Sequence, residues 1–267
     1  MAKAKRIKEE PIILITNDDG ITAPGLKALV EAARSLGRVI VVAPDSPQSG
    51  MGHAITIAHP LRLDKVDVFD GIEAYQCSGT PADCVKLAKD KLLKKPADLC
   101  VSGINHGSNS SINVIYSGTM SAAVEAAIEG IPAIGFSLLD HDFHADFSAA
   151  GHFAKVISQQ VLQYGVPEAT LLNVNIPKLG LKHIKGMKIC RQARARWEED
   201  YDKRQDPRGK EYYWLKGKFI VEDQGEDTDE WALMNGYVSI VPTQFDMTAH
   251  HAIPFINNNW KLNAKTR

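Results

Sequence analysis

The sequence predicts an α/β protein with a Rossmann-like, doubly wound and mostly parallel sheet, followed by a C-terminal extension that contains a β-hairpin. Two observations lead to this fold class. Strand-like and helix-like segments alternate through the first half, and the strand-like segments are continuous apolar runs. Continuous runs are typical of strands covered by helices on both faces. Their alternation with helices indicates parallel βαβ units.

The predicted elements follow one another in regular order. Residues 12–16 and 38–43 are apolar strands, and residues 24–36 between them have helical spacing with a proline in the first turn. Residues 80–93 begin with Thr-Pro-Ala-Asp, which is typical of a capping box at a helix start. The remaining elements are strands at 98–102, 131–137 and 170–174, an alanine-rich helix at 119–129 and a helix at 145–164.

The character of the sequence changes after residue 177. We therefore divide the chain into an α/β core, residues 1–177, and an extension of the same domain, residues 178–267. The extension has a charged cluster at 192–214, a strand pair around 212–220 and a β-like run at 236–241. It adds no obvious strand to the core sheet. We expect it to form an arm for subunit contacts or for closing over the site, and a solvated surface hairpin is the alternative.

Composition limits the classes of ligand. The 267 residues carry a net charge of -1, which lacks the positive excess typical of proteins that bind nucleic-acid polymers or membrane surfaces. The four cysteines form no C-x-x-C pair, and we interpret them as buried free thiols. The charged start MAKAKRIKEEP has no apolar signal-peptide core, and no apolar run reaches the ~18 residues of a membrane span. We expect a cytoplasmic protein with a small-molecule ligand.

The most informative motif is Asn17-Asp18-Asp19-Gly20, directly after the first predicted strand. In an open parallel sheet, ligands bind beyond the carboxyl ends of the strands. Two adjacent carboxylates repel each other unless a cation lies between them or one is protonated. Mg²⁺ and Mn²⁺ favour such oxygen ligands. Alone, the motif is equally consistent with an ordinary turn, since Asn, Asp and Gly are preferred turn residues.

Three further polar loops are predicted at the same edge of the sheet. Ser49 lies in the loop after the second strand, and Asn105 follows the strand at 98–102. Ser117, Gly118 and Thr119 lie at the start of the alanine-rich helix, where free backbone amides and two hydroxyls would form a phosphate cradle. Ordinary helix capping is the alternative for both hydroxyls.

Together the four loops supply anionic ligands, neutral oxygen ligands and an anion cradle, a set that fits metal-assisted phosphoester hydrolysis. The sequence contains no G-x-G-x-x-G after the first strand, no G-x-x-x-x-G-K-[ST] and no G-x-S-x-G. A phosphoaspartyl enzyme or receiver domain is less favoured, because the later strand ends carry Ser-Gly-Ile-Asn and Phe-Ser rather than a lysine loop. A nucleotide-binding module without turnover remains the alternative function.

Several motifs, in order and at similar spacing over most of the chain, resemble the SurE family (survival protein E, a 5′-nucleotidase). They are Asn17-Asp18-Asp19-Gly20, Ala43-Pro44-Asp45 leading to Ser49-Gly50, Ser78-Gly79-Thr80-Pro81-Ala82-Asp83, Ser102-Gly103-Ile104-Asn105-x-Gly107-x-Asn109 and Tyr116-Ser117-Gly118-Thr119. The resemblance implies a divalent-metal-dependent phosphatase that acts on nucleoside 5′-monophosphates, and in some members on 3′-nucleotides and polyphosphate. It also implies homodimers or homotetramers that exchange C-terminal segments.

The resemblance implies one Mg²⁺ or Mn²⁺ ion per subunit. The predicted metal ligands are Asp18, Asp19, Ser49 and Asn105, of which the two carboxylates are also the predicted catalytic residues. The predicted phosphate-binding residues are Asn17, Ser117, Gly118 and Thr119. Ser111 and Met120 stand where the family pattern has Gly and Val, which leaves the base preference open. His53 and His106 lie in variable loops and stay outside the predicted catalytic set.

Overall fold

The computed structural model describes residues 10–260, and most of the charged N-terminal segment that bears on the signal-peptide expectation lies outside them. The strands are β1 (Ile12–Thr16), β2 (Arg38–Pro44), β3 (Leu63–Val66), β4 (Glu73–Cys77), β5 (Leu99–His106), β6 (Ala133–Leu138), β7 (Thr170–Ile176), β8 (Met187–Ile189), β9 (Ala195–Gln205), β10 (Glu211–Val221) and β11 (Val238–Gln244). The helices are α1 (Pro24–Ala33), α2 (Pro81–Leu87), α3 (Gly118–Ile128), α4 (Ser148–Tyr164), α5 (Asp229–Met234) and α6 (Ala252–Asn259). Within residues 10–260, no helix is both long and apolar enough to cross a bilayer.

The central sheet has the strand order β3-β4-β2-β1-β5-β6-β7-β11-β8. Strand β1 pairs in parallel with β2 on one side and with β5 on the other, so the chain reverses its direction of winding between β1 and β5. The β3–β4 and β7–β11 pairs are antiparallel, and the other pairs of this sheet are parallel. The predicted mostly parallel α/β fold is confirmed, and its switch point lies at β1 and β5.

Helices cover both faces of the sheet. Because successive strand residues point to opposite faces, Ile13 and Ile15 of β1 enter one core, and Ile12 and Leu14 enter the other. The first core contains α1 and α4, and the second contains α2 and α3. The predicted capping box at the start of α2 is confirmed, since the Thr80 and Asp83 side chains each accept a hydrogen bond from the other residue's backbone amide.

The C-terminal extension contributes to the core sheet. Strand β11 pairs antiparallel with β7, with Ile240 opposite Val174, and β8 pairs in parallel with β11. The prediction that this segment adds no strand to the core is therefore wrong, because the apolar run that begins at Val238 extends the sheet beyond β7. The extension contains the predicted hairpin, because β9 and β10 form a separate two-stranded sheet in which Phe219 lies opposite Trp197. Its predicted bounds are wrong, since residues 212–220 form only the second strand and the first lies within the charged cluster.

Candidate active site

A cavity of about 430 Å³ opens at the carboxyl ends of the central strands. All four predicted metal ligands line it, although they come from the loops after β1 and β2 and from the end of β5. The lining residues are Asp18, Asp19, Ser49, Gly50, Asn105, His106, Ser108, Asn109, Ser110, Asn113, Tyr116, Ser117, Leu139, His141, Trp197, Phe219 and Glu230. The topology explains this convergence, since the β1, β2 and β5 loops leave neighbouring strands at the same edge.

Asp18 is held against the start of α3. Its Oδ1 accepts a hydrogen bond of 2.5 Å from the Thr119 hydroxyl, which is fully buried. A Cβ atom on Gly118 would lie 2.7 Å from the Asp18 Cβ, which is closer than side chains tolerate. The absence of a side chain at Gly118 therefore lets the N-terminus of α3 approach the carboxylate directly.

Both carboxylates have raised pKa values. Burial raises the pKa of Asp18 to about 6, the Thr119 hydroxyl opposes this change, and the neighbouring Asp19 charge adds to it. Burial also raises the pKa of Asp19, while the charge of His106 and a hydrogen bond from its backbone act in the opposite direction. The protein thus removes two adjacent acids partly from water, which is a costly arrangement for their charged forms.

The donor set fits a hard divalent cation. The Asp19 Oδ2 atom is buried and has no hydrogen-bond partner among the described residues. The Asn105 side-chain amide donates to the Gly107 carbonyl oxygen at 2.9 Å, which leaves its own carbonyl oxygen available to the cavity. Within residues 10–260, no group of three or more His, Cys, Asp or Glu side chains is arranged to hold a metal. An ion here would therefore depend on Asp18, Asp19 and the neutral oxygens of Ser49 and Asn105.

The predicted phosphate-binding residues do not all reach the cavity. Ser117 lines it, and its Oγ accepts a hydrogen bond of 3.0 Å from the Met120 amide as the cap of α3. Thr119 is directed at Asp18 and is absent from the lining. Asn17 is buried and donates to the Gly20 carbonyl oxygen at 3.0 Å, so its amide supports the turn after β1. Thus Ser117 is the predicted phosphate ligand whose side chain borders the open space.

The two histidines have different surroundings. His106 lines the cavity and packs edge-on against Phe147, with ring centroids 5.0 Å apart. His53 is not among the lining residues, and its Nε2 lies 2.9 Å from Oε2 of the buried Glu125 in α3. Glu125 also pairs with Lys86 at 2.6 Å. His53 thus anchors the loop that carries Ser49 onto α3.

A hydrogen-bond network fixes the loop after β5. The backbone N–H of Asn109 donates a hydrogen bond of 2.8 Å to Asn175 Oδ1. The side-chain amide of Asn109 donates another, also of 2.8 Å, to Ser137 Oγ. The fully buried Asp229 accepts hydrogen bonds from the backbone amides of Ser111 at 2.8 Å and Ala193 at 2.9 Å. This carboxylate therefore ties the C-terminal extension to the β5 loop beside the cavity.

The sequence reasoning missed the cavity residues that the extension supplies. Trp197 and Phe219 come from the base of the hairpin, and Glu230 comes from α5, where it accepts a hydrogen bond from Ser110. Burial raises the pKa of Glu230. The sequence predicted an arm for subunit contacts or for closing over the site, but it did not identify Trp197, Phe219 and Glu230 as residues of the cavity.

Comparison with known proteins gives consistent matches. Residues 13–199 match the family model described as Survival protein SurE. The chain is 63% identical over 255 residues to a protein named 5′-nucleotidase SurE from Flavobacterium psychrophilum, covering 95% of this chain and 99% of the relative. It is 43% identical over 258 residues to a protein of the same name from Chlorobium luteolum, covering 97% and 99%. The crystal structure of the SurE protein from Aquifex aeolicus has a TM-score of 0.81 and 42% identity, covering 93% of this chain and 99% of that one.

Proposed function

This chain belongs to the SurE family, and from that premise we propose that it is a divalent-metal-dependent phosphatase of nucleoside 5′-monophosphates. Its reaction class is phosphoric monoester hydrolysis. The proposal extends to 3′-nucleotides and polyphosphate as secondary substrates. We also propose Mg²⁺ or Mn²⁺ as the cofactor, with one ion per subunit.

One observation carries the metal-dependent reaction: two adjacent carboxylates, the buried Asp18 and the half-buried Asp19, share a cavity with the N-terminus of a helix. A buried acidic pair calls for a cation, and a helix N-terminus favours an anion. A phosphate ester bound with a divalent ion satisfies both requirements in one site. The neutral oxygens of Ser49 and Asn105 complete the donor set without adding charge.

When bound, a divalent ion polarises a phosphoryl oxygen and lowers the pKa of a bound water. The chain itself supplies the positioning. Thr119 orients Asp18, and Ser117, the cap of α3, borders the cavity at the helix N-terminus, where the helix dipole favours a phosphate. His106 borders the same cavity and provides buried ring nitrogens that have no partner among the described residues.

Phosphate release from AMP, measured with Mn²⁺, with Mg²⁺ and after removal of metal with a chelator, tests the proposal. We expect turnover that requires the added ion and is restored when it is returned. A non-catalytic nucleotide-binding module would bind AMP by calorimetry under the same conditions and release no phosphate. Parallel reactions with 3′-AMP and polyphosphate test the secondary substrates.

We further propose a homodimer or homotetramer that exchanges C-terminal segments. Several large side chains of the hairpin and α6 are exposed in the single chain, including Trp214 (61%), Leu215 (63%) and Phe255 (64%). Exposed aromatic residues of this kind are typical of interfaces. Sedimentation of the intact protein as a monomer at micromolar concentration would contradict this assembly.

We also propose a cytoplasmic location. The four cysteines are all free and buried, which fits a reducing compartment. Fractionation of cells with an antibody to the native protein tests this location. Recovery with the membrane or extracellular fraction would contradict it.

A further inference from the structure

The loop that carries Ser49 places no residue in the hydrophobic core. It comprises residues 45–62, between β2 and β3, and each of them is exposed or half-buried. Gly50 and Gly52 have φ angles of 73° and 56°, in the left-handed region that other residues rarely adopt. Because the loop has no buried apolar anchor, its position depends on polar contacts with the elements beneath it.

A buried carboxylate of α2 makes two of these contacts. Asp83 is only 2% exposed. Its Oδ2 accepts a hydrogen bond of 2.7 Å from the hydroxyl of Thr56 in the loop, and its Oδ1 accepts one of 3.1 Å from the Thr56 backbone N–H. A Cβ atom on Gly79 would lie 2.6 Å from Asp83 Oδ2, so this glycine leaves room for the carboxylate. Hydrogen bonds to an ionised acceptor are about twice as strong as those between neutral groups.

The capping box of α2 therefore has a second set of partners. At the helix start, Asp83 Oδ2 accepts a hydrogen bond of 2.9 Å from the Thr80 backbone N–H, and this bond is all that the box requires of the carboxylate. The Thr80 hydroxyl, which accepts from the Asp83 backbone N–H, donates its own hydrogen to the Ala54 carbonyl oxygen at 2.7 Å. The same two side chains thus cap α2 and bind the loop at Ala54 and Thr56.

Ser49 lies between two anchored parts of the loop. On one side, the backbone N–H of Gln48 donates a hydrogen bond of 2.7 Å to the carbonyl oxygen of Asp18. On the other side, the loop is held by the contact of His53 with Glu125 and by the α2 capping box. Because no residue from 49 to 52 is buried, the anchors on both sides set the backbone position of Ser49.

We propose that the α2 capping box is a clamp that holds the Ser49 loop beside the acidic pair, with Asp83 as its positioning residue. The inference rests on the proposed function, because the position of Ser49 matters if the loop completes a metal site. Neither Asp83 nor Thr56 lines the cavity, so both act through the loop and not on the substrate. The competing interpretation is a helix cap with no effect on the site.

Thr56→Val tests the clamp without altering the capping box, because it removes only a hydroxyl that donates to Asp83. Hydrogen exchange of the metal-free protein, followed by mass spectrometry, measures the loop directly. Exchange over residues 45–62 should become faster by roughly tenfold, the effect of losing one hydrogen bond to a charged group. Thr56→Ser keeps the hydroxyl and should exchange like the wild type, and α2 should keep its protection in both variants.

Binding of Mn²⁺, measured by electron paramagnetic resonance of the free ion, tests the consequence for the metal. Thr56→Val should raise the Kd for Mn²⁺ by roughly threefold to tenfold, which is less than the change expected for a direct partner of a metal ligand. Thr56→Ser should stay near the wild type, since it retains the donor to Asp83.

A second pair of variants separates positioning from general stability. Asp83→Asn should raise the Kd for Mn²⁺ at least as much as Thr56→Val, because it weakens every contact of the clamp. Asp98→Asn is the matched control, since Asp98 Oδ2 also accepts a backbone hydrogen bond, from Ile12 at 2.9 Å, but at the opposite end of β1. It should leave Mn²⁺ affinity unchanged even where it lowers the unfolding midpoint in urea.

Unchanged exchange of the loop in Thr56→Val would overturn the clamp. Faster exchange with an unchanged Kd for Mn²⁺ would overturn the positioning role, because the loop would then move without consequence for the metal. An equal loss of affinity in Asp98→Asn and Asp83→Asn would also overturn it, since general destabilisation would explain both. If the wild type binds no Mn²⁺, the proposed function fails, whereas hydrogen exchange of the metal-free protein still decides whether the capping box holds the loop.

Discussion

The hydrogen bond from Thr119 to Asp18 gives the sharpest prediction about the acidic pair. Thr119→Val keeps the branched shape of the fully buried side chain and removes only the hydroxyl that donates at 2.5 Å. A hydrogen bond to a charged group contributes ~1.5–3 kcal/mol. If the whole contribution serves to orient the carboxylate, its loss weakens metal binding by roughly 10- to 150-fold.

The assay is the Mn²⁺ concentration that gives half-maximal phosphate release, with Thr119→Ser as the matched control. We expect Thr119→Val to need much more Mn²⁺, while Thr119→Ser stays near the wild type because it keeps the donor. Urea unfolding of the metal-free proteins measures how much of the loss is general destabilisation. Equal half-activation concentrations in both variants and the wild type would refute the role of Thr119 in orienting Asp18.

Three further predictions concern the same site. Asp19→Asn should abolish most phosphate release and keep or raise the thermal stability of the metal-free protein, because it removes one of two adjacent carboxylates whose charged forms burial disfavours. Near-wild-type turnover at saturating Mn²⁺ would contradict this prediction. Gly118→Ala should lower metal affinity and reduce the free energy of unfolding by ~1–3 kcal/mol, because the added methyl group overpacks against Asp18. An unchanged unfolding midpoint in urea would argue against the close approach of Gly118 to Asp18. His53→Ala should release the Ser49 loop from Glu125 and raise the half-activating Mn²⁺ concentration several-fold, with little change in maximal turnover. A lower maximal turnover at unchanged metal affinity would contradict the role of His53 in anchoring this loop.

The core strands could be predicted because their signal is local. Strands β1 and β2 are continuous apolar runs, and the structure buries nearly all of their residues. Strands β3, β4 and β8 are short, and exposed or half-buried residues interrupt them, so they carry no comparable run. Helix α5 was not predicted, because it is only six residues long and therefore carries little helical periodicity. Its cap, Thr228, was a readable signal, since that hydroxyl accepts a hydrogen bond from the Trp231 amide.

Part of the candidate site could also be predicted from the sequence, and part of it could not. The convergence of Asp18, Ser49 and Asn105 follows from strand order alone, because parallel strands deliver their following loops to one edge. The approach of Trp197 and Glu230 does not follow from local sequence. It depends on long-range contacts such as the Asp229 hydrogen bonds to the loop after β5, which no spacing rule encodes.

The role predicted for Thr119 shows a related limit. Its position at the start of a helix indicated a hydroxyl that either caps the helix or contacts phosphate. The structure instead directs the hydroxyl across to β1, where it meets Asp18. Two residues that lie 101 positions apart in the chain thereby form one unit. The motif alone located the helix start and could not assign the partner of the side chain.

The most direct test of the central claim is anomalous diffraction from crystals of the protein soaked in Mn²⁺. The account predicts a manganese peak in the cavity with Asp18 and Asp19 as ligands, and with Ser49 and Asn105 beside it, and loss of that peak in Asp19→Asn crystals. A peak held by other residues, or no peak at this edge of the sheet in a protein that still needs Mn²⁺ to release phosphate, would contradict it.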